Sequence, residues 1–252
     1  EEKWLEGIGV AHCAAFGGCL SCLRHADKGK ALDLHEPDHM GRTPLYWAIA
    51  GGSVANVKYL LEQGANISHT TAVGRTMLTK AAWGNLPEVL VELLEAGAEF
   101  EQRDHKGRTA MHVAVSGGAR GAILALLDAL GPRAVMCARD TFQATPLHIA
   151  AGGTDPVFHG MLDFLLNQVM KRDPNGTLVR ELAEMRNAKG DTPLVVAVAK
   201  GSSQAVENFL KLDCLTEPTL FEAAVVAAST GNAGALRLLA PLVDKDRLDG
   251  LL

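Results

Sequence analysis

Gly41-Arg42-Thr43 recurs as Gly74-Arg75-Thr76 and again as Gly107-Arg108-Thr109, so one tripeptide returns twice at an interval of 33 residues. A fixed interval of this length is typical of stacked structural repeats, in which each unit contacts only its neighbours. The interval therefore predicts a repeat array rather than a single enzyme core. In such an array we expect function to lie on a long concave surface and not in one deep pocket.

The unit that begins at Gly41 reads as a helix, a turn, a second helix and a loop. Thr43 is suited to cap a helix N terminus. Pro44 then occupies the first helical position, where a backbone N–H would have no partner within the helix. Gly51-Gly52 ends this helix, because glycine tolerates left-handed backbone angles. The second helix ends at Gly64, and its apolar residues share one face: Val57, Leu60 and Leu61.

The hexapeptide Thr145-Pro146-Leu147-His148-Ile149-Ala150 is the hallmark of a known repeat. Thr43-Pro44-Leu45 and Thr192-Pro193-Leu194 repeat its first half, and a closing Leu-Leu-x-x-Gly-Ala occurs at 60–65 and 93–98. On these motifs the chain resembles the ankyrin repeat family over nearly its whole length.

The resemblance implies an all-α ankyrin-repeat solenoid of about seven stacked helix-turn-helix units, joined by hairpin-like loops and closed by degenerate terminal caps. We expect residues 1–252 to form a single domain. The approximate units are 4–35, 36–68, 69–101, 102–137, 138–184, 185–213 and 214–246.

Three structural details follow from the repeat pattern. One row of apolar residues should be buried: Leu45, Leu78, Met111, Leu147 and Leu194. His112 and His148 should bond backbone groups of adjacent loops, because buried polar groups are normally satisfied. The segment from about Lys171 to Lys189 should be an oversized loop with a turn at 173–176, either a separate recognition element or a tolerated insertion.

The net charge, the apolar runs and the cysteine spacing exclude several classes of protein. The net charge of −5 argues against a nucleic-acid partner, and no apolar run of about 18 residues predicts membrane insertion. The five cysteines show no spacing that indicates a disulfide framework. We expect a domain that is monomeric in isolation, holds no cofactor and resides in the cytoplasm, with the nucleus as the alternative.

Catalytic motifs are absent except for one match by letter. No Walker loop, dinucleotide glycine fingerprint or Gly-x-Ser-x-Gly elbow occurs in the sequence. His35-Glu36-Pro37-Asp38-His39 fits the zinc-protease string His-Glu-x-x-His. That chemistry needs both histidines on one helix face, and Pro37 would break such a helix. The sequence therefore predicts a protein that is not an enzyme.

A weaker metal signal lies near the N terminus. Cys13, Cys19, Cys22 and His25 offer thiolate and imidazole groups, which suit zinc. The alternative is that small cysteines fill a tightly packed terminal unit, since free cysteine is among the most buried residue types. We favour the packing interpretation and predict no metal site.

The candidate partner surface follows from the family resemblance. In ankyrin-like arrays, partners usually meet the inner face of the first helices and the loop tips, here 69–73, 102–106 and 141–143. On the inner face we expect three exposed aromatic residues and a series of basic ones, with an apolar residue beside them. These candidates are Phe16, Trp47, Trp83, Arg42, Arg75, Arg108, Lys80 and Val113.

Such a surface would suit another protein or peptide, acidic and with apolar anchors, because guanidinium groups pair well with carboxylates. The alternative to a partner-binding role is that the arginines are solvated and the tryptophans cover neighbouring loops. The predicted function is a non-catalytic interaction scaffold or adaptor. The alternatives are the recognition or regulatory segment of a larger enzyme or channel and, more remotely, a zinc-binding protein.

Overall fold

Helices account for all regular structure in the part of the chain that can be described. A computed structural model describes residues 9–28, 35–153, 158, 160–212 and 214–243, with the backbone alone for 26–28. No strand occurs in these ranges, so the all-α prediction is confirmed. The chain divides into two compact units, Glu1–Leu130 and Gly131–Leu252. None of the described helices has the length and apolar character that a membrane span needs.

The first unit, Glu1–Leu130, consists of successive helix pairs. The first helix of each pair packs on the next first helix, from α1 through α3 and α5 to α7, and the second helices stack in the same order. The helices are α1 (Val10–Phe16), α2 (Leu20–Lys28), α3 (Pro44–Ala50), α4 (Val54–Glu62), α5 (Met77–Trp83), α6 (Pro87–Glu95), α7 (Ala110–Ser116) and α8 (Arg120–Leu130).

The second unit, Gly131–Leu252, repeats this arrangement with two additional helices. Its described elements are α9 (Pro132–Met136), α10 (Pro146–Gly152), α11 (Met161–Arg172), α12 (Thr177–Glu184), α13 (Pro193–Ala199), α14 (Ser203–Leu210), α15 (Glu217–Ser229), α16 (Ala233–Leu239) and a 3₁₀ helix, Ala240–Leu242. α10 packs on α13 and α13 on α15, while α11 packs on α14 and α14 on α16. Each helix pair of either unit lies inside one predicted repeat.

The expected oversized loop over 171–189 is largely helical, and that prediction is wrong. α11 continues to Arg172, and α12 occupies Thr177–Glu184 and contacts both α11 and α13. The expected turn at 173–176 is present and leads into α12, where Asp173 Oδ2 accepts from Leu178 N at 2.6 Å. Helical spacing of the four buried residues was the overlooked signal: Leu178, Val179, Leu182 and Ala183.

The recurring tripeptide contains a turn glycine and the threonine that begins the following helix. Gly41, Gly74 and Gly107 have φ angles of +70°, +67° and +67°, a region that side chains with a Cβ rarely adopt. The threonine two residues later begins the helix. Thr76, for example, accepts a hydrogen bond from Thr79 N at 3.1 Å. The interval of 33 residues is therefore the interval between identical backbone turns.

The predicted row of apolar residues is buried. None of its members is more than 2% exposed, whether in the first unit (Leu45, Leu78 and Met111) or in the second (Leu147 and Leu194). Each lies in the first helix of a pair, two residues after the threonine cap. Burial of one such residue per repeat forms the continuous part of each unit's core.

His148 links its own helix start to the next repeat, as predicted. Its Nδ1 accepts from Thr145 N at 3.1 Å, and its Nε2–H donates to the carbonyl of Asp191 at 3.1 Å. His112 Nδ1 likewise accepts from Thr109 N, at 3.3 Å. A ring that accepts at one nitrogen and donates at the other is the neutral tautomer.

Acidification is expected to weaken the second unit through His148. Burial, with the charge of Arg139, lowers the pKa of His148 against opposing contributions from the Asp191 carbonyl and the Asp140 charge. The unfolded chain then binds the proton more readily, so stability falls as the pH drops below about 6.5, by no more than about 1.4 kcal/mol per pH unit for one proton. Urea denaturation from pH 7.5 to 5.0 measures this slope. His148→Gln should reduce it, and an unchanged slope would contradict the assignment.

Candidate functional site

A five-residue turn provides the framework of the site, and it precedes five of the first helices, namely α3, α5, α7, α10 and α13. In each turn the N–H of the first residue donates to the carbonyl of the fifth, at 2.9–3.0 Å. The side-chain oxygen of the first residue accepts from the N–H of the fifth, at 2.9–3.1 Å. These repeat turns span residues 38–42, 71–75, 104–108, 140–144 and 187–191. The role of their first residue was not predicted from the sequence, although in four of the five turns it lies three places before a glycine.

Two of the repeat turns contain an internal ion pair. Asp38 Oδ2 accepts from Arg42 Nε at 2.6 Å, and Asp104 Oδ2 lies 2.7 Å from Arg108 Nη2. Burial would raise the pKa of both carboxyls, but hydrogen bonds from the arginines and the backbone outweigh it and hold each pKa below its usual value. Both carboxyls are therefore ionised at neutral pH, and the charges of Arg42 and Arg108 are compensated within their own turns.

The repeat turn 71–75 lacks this compensation. Its first residue is Thr71, whose Oγ1 accepts from Arg75 N at 3.1 Å but carries no charge. The Arg75 side chain is exposed, and no carboxylate in the described ranges pairs with it. Of the three arginines predicted to form a series, Arg75 therefore differs from the other two in being available to a partner.

Trp47 is more buried than its predicted place on the exposed inner face indicates. Its Nε1–H donates to Asp38 Oδ2 at 3.1 Å, and the Arg42 guanidinium lies 4.4 Å from the centre of its ring. Phe16 packs edge-on against the same ring, with the ring centres 5.6 Å apart. Trp47 is half-buried, while Phe16 is 51% exposed. Of the three aromatics expected to be exposed, Trp47 is therefore only partly exposed, because its ring contacts the ion pair of its own repeat.

Lys80 and Trp83 stand beside Arg75 on the first helix of the third repeat, α5. Lys80 is half-buried, with its Nζ 5.6 Å from the centre of the Tyr46 ring. Burial, together with the positive charges of Arg75 and Arg42, lowers the pKa of Lys80. Trp83 is 56% exposed, which is high for a tryptophan. A large apolar ring thus lies next to Arg75 and Lys80, with which no carboxylate forms an ion pair in the part of the chain that the structure describes.

These side chains line a cleft of about 160 Å³ in the first unit, which we call the Trp83 cleft. It unites five of the eight predicted partner-binding residues with two further polar ones. Its lining is Arg75, Thr79, Lys80, Trp83, Asp104, Arg108 and Val113. Val113 is only 4% exposed and forms part of the wall. Phe16, Arg42 and Trp47 form the separate cluster around Asp38.

The N-terminal cysteines are arranged differently from either interpretation of the sequence. Cys19 and Cys22 form a disulfide at the start of α2, with Cα atoms 5.2 Å apart, and a disulfide sulfur is not a thiolate ligand. Cys13 and Cys22 are exposed, so the packing interpretation is wrong for these two residues. Cys13 occupies the helix position equivalent to Trp47 and Lys80, which faces away from the buried row. Among the described side chains, no group of three His, Cys, Asp or Glu could hold a metal ion.

The protease-like string is part of a loop and a repeat turn. Residues 35–43 contain no helix, so His35 and His39 do not share a helix face. Asp38, in the middle of the string, accepts the N–H groups of Met40 and Arg42 at 2.9 Å each. The segment therefore has a structural role in positioning α3, as Pro37 indicated.

Comparison with known proteins agrees with this architecture. A family model for ankyrin repeats (3 copies) matches residues 10–104 and 78–175. The human DNA-binding protein RFXANK is 39% identical over 62 residues, which are 25% of this chain and 24% of that protein. The match thus spans about a quarter of the length of that relative.

A solved structure extends the likeness to the fold. It is the Bd0816 predatory endopeptidase from Bdellovibrio bacteriovorus in complex with immunity protein Bd3460, one chain of which matches with a TM-score of 0.63. The match is 24% identical and covers 82% of this chain and 99% of that one, a level of identity that shows a shared fold alone. Because the family model matches well over half of the residues, and the repeat turns and threonine caps recur from one helix pair to the next, the chain belongs to the ankyrin repeat family.

Proposed function

We propose that this chain is a non-catalytic protein-interaction module that binds a polypeptide through the Trp83 cleft. Ankyrin repeats generally mediate protein–protein interaction. The observation that carries the proposal is the 56% exposure of Trp83 beside Arg75 and Lys80. Tryptophan and arginine are the residues most enriched at the energetic centres of protein interfaces, where an aromatic anchor is flanked by polar groups.

Replacing Trp83 by alanine should remove most of the binding and leave the fold intact, because the ring is largely in solvent. Truncating such an anchor costs about 2 kcal/mol, which is about thirtyfold in Kd. Affinity capture from a cell lysate, quantified by mass spectrometry, would compare this variant with wild type, and the captured proteins would then be titrated individually. Met170→Ala, an exposed apolar residue on a second helix, is the control. Equal recovery by Trp83→Ala and wild type would reject the cleft as the binding site.

The loop tips 69–73 and 102–106 flank this site in sequence and form a second element of the proposed surface. Both loops are hydrogen-bonded to an earlier repeat, one through its backbone and the other through a side chain. Ala72 N donates to Met40 O at 2.9 Å, and Gln102 Nε2 donates to Ser68 O at 2.9 Å. A partner would therefore meet loops that are already ordered, which reduces the entropy lost on binding.

A second candidate is that these repeats are the recognition segment of a longer protein. The similarity to RFXANK occupies a quarter of that relative, which is compatible with repeats embedded in a larger chain. Sequencing the full transcript would decide between the two. The single-domain organisation, the monomeric state and the cytoplasmic location stay predictions.

A further inference from the structure

The repeat turns differ in one place that matters for the Trp83 cleft. The turns on either side of 71–75 begin with Asp38 and Asp104, and each aspartate neutralises the arginine four residues later. Thr71 accepts the same backbone hydrogen bond without supplying a charge, so the backbone of the turn is retained while Arg75 loses its internal counter-ion.

We infer that the Trp83 cleft binds an aspartate or glutamate side chain of the polypeptide partner, which supplies to Arg75 the carboxylate that Thr71 does not provide. This inference rests on the proposed function and specifies the chemistry of the partner. The occupant is an extended peptide segment in which the acidic residue and a large apolar one are two positions apart, on the same side of the chain.

The charges of the cleft support an acidic ligand. Arg75, Lys80 and Arg108 contribute three positive charges to its lining, and Asp104 contributes one negative charge that is already bonded to Arg108. The cleft is thus positive although the whole chain carries a net charge of −5. Burial and the neighbouring arginines also lower the pKa of Lys80, as expected where positive charge is not compensated. A carboxylate placed among these groups would relieve that repulsion.

The apolar part of the ligand follows from two other residues of the same lining. Trp83 presents an exposed ring, and Val113 forms part of the wall. In an extended peptide, side chains two positions apart lie on the same side of the chain, about 6.5 Å from one another. An acidic residue and a bulky apolar residue two positions apart would therefore both face the cleft.

The decisive variant restores the aspartate found in the adjacent turns. In Thr71→Asp the new carboxylate should pair with Arg75 as Asp38 pairs with Arg42, and should therefore compete with the carboxylate of the ligand. Thr71→Asn is the matched control, because Asn187 shows that asparagine accepts the same turn hydrogen bonds without charge, at 2.9 and 3.0 Å. Thermal unfolding of both variants should show no loss of stability relative to wild type.

The probe is a random peptide library displayed on phage and selected separately on wild type, Thr71→Asp and Trp83→Ala. Wild type should enrich peptides with Asp or Glu two positions from a bulky apolar residue. An enriched peptide should bind Thr71→Asp about tenfold more weakly and Thr71→Asn within about twofold of wild type. Changing its acidic residue to the amide should cost about tenfold on wild type and little on Thr71→Asp, which closes a double-mutant cycle.

The outcomes separate this inference from the proposed function. Peptides that bind wild type, lose affinity on Trp83→Ala and carry no acidic preference would overturn the inference and leave the proposed function standing. Equal binding of an acidic peptide to wild type and Thr71→Asp would likewise overturn the inference and leave the proposed function standing. A selection that enriches nothing, or peptides indifferent to Trp83→Ala, would overturn both.

Discussion

Replacing Phe209 by alanine is expected to lower the free energy of unfolding of this protein by about 3–5 kcal/mol. Phe209 lies near the end of α14, is 0% exposed and is the largest fully buried side chain in the described ranges. Its α14 packs between α11 and α16 and also against its own partner α13. Because each repeat relies on its neighbours for part of its core, the cavity would weaken the packing of α14 on both adjacent repeats.

Urea denaturation followed by circular dichroism would measure this loss. Phe142→Ala is the matched control, since Phe142 is 68% exposed and the same substitution there should change stability by less than about 0.5 kcal/mol. If the two variants lost similar amounts, the packing of the second unit described above would be incorrect.

Replacing Asp38 by alanine is expected to cost about 3 kcal/mol, because it removes one partner of a buried ion pair. The Asp38 side chain is 0% exposed, and its carboxylate accepts hydrogen bonds from Met40 N, Arg42 N, Arg42 Nε and Trp47 Nε1. The Arg42 side chain is itself only 16% exposed, so it would lose its counter-ion where water can replace little of the interaction.

The equivalent residue of the next repeat provides the control. Thr71→Ala removes a side chain whose Oγ1 accepts from Arg75 N, and Arg75 itself is exposed, so the expected loss is about 1 kcal/mol. Chemical denaturation would compare the two, with tryptophan fluorescence as a second probe because Trp47 contacts Asp38. A loss for Asp38→Ala no larger than that for Thr71→Ala would show that the ion pair contributes little to stability.

The contrast between the turns of Asp38 and Asp104 and the turn of Thr71 would link stability to binding. Asp38 and Asp104 pair with their arginines and so contribute to the fold, whereas Thr71 supplies no carboxylate to Arg75, for which we propose a ligand carboxylate. Stability and recognition would thus be assigned to different repeats of the same array. A substitution that stabilises the third repeat by adding a carboxylate would be expected to weaken binding.

The repeats could be predicted because the features that define them are local. A left-handed glycine such as Gly41, a threonine cap and a proline at the first helical position act within a few residues, and their order repeats at a fixed interval. The helix over 177–184 was not predicted, although its apolar residues recur at helical spacing. The residues at 173–176 are typical of a turn, so the segment that follows them was interpreted as part of a loop.

The contacts between repeats could not be predicted in the same way. Asn56 Nδ2 donates to Ala14 O and Ala15 O, at 3.2 and 3.0 Å, although these residues are more than 40 positions away in sequence. Asn85 Oδ1 similarly accepts from Ala122 N at 3.0 Å. A single asparagine within a helix or turn gives no local sign of such a partner, since its choice depends on how two helix pairs pack.

The sequence by itself determined the repeat period, the helical class, the places where the first helices begin and the residues that form the buried row, because each depends on backbone geometry and apolar spacing over a few residues. Only the tertiary structure decided which basic and aromatic side chains remain available. In the sequence, Trp47 and Trp83 are both candidate exposed aromatics, and Arg42 and Arg75 occupy the same place in the recurring tripeptide. In the structure, Trp47 and Arg42 are bound to Asp38, whereas Trp83 and Arg75 are not. Availability depends on the partners that packing brings within hydrogen-bonding distance, and the Trp83 cleft is the result.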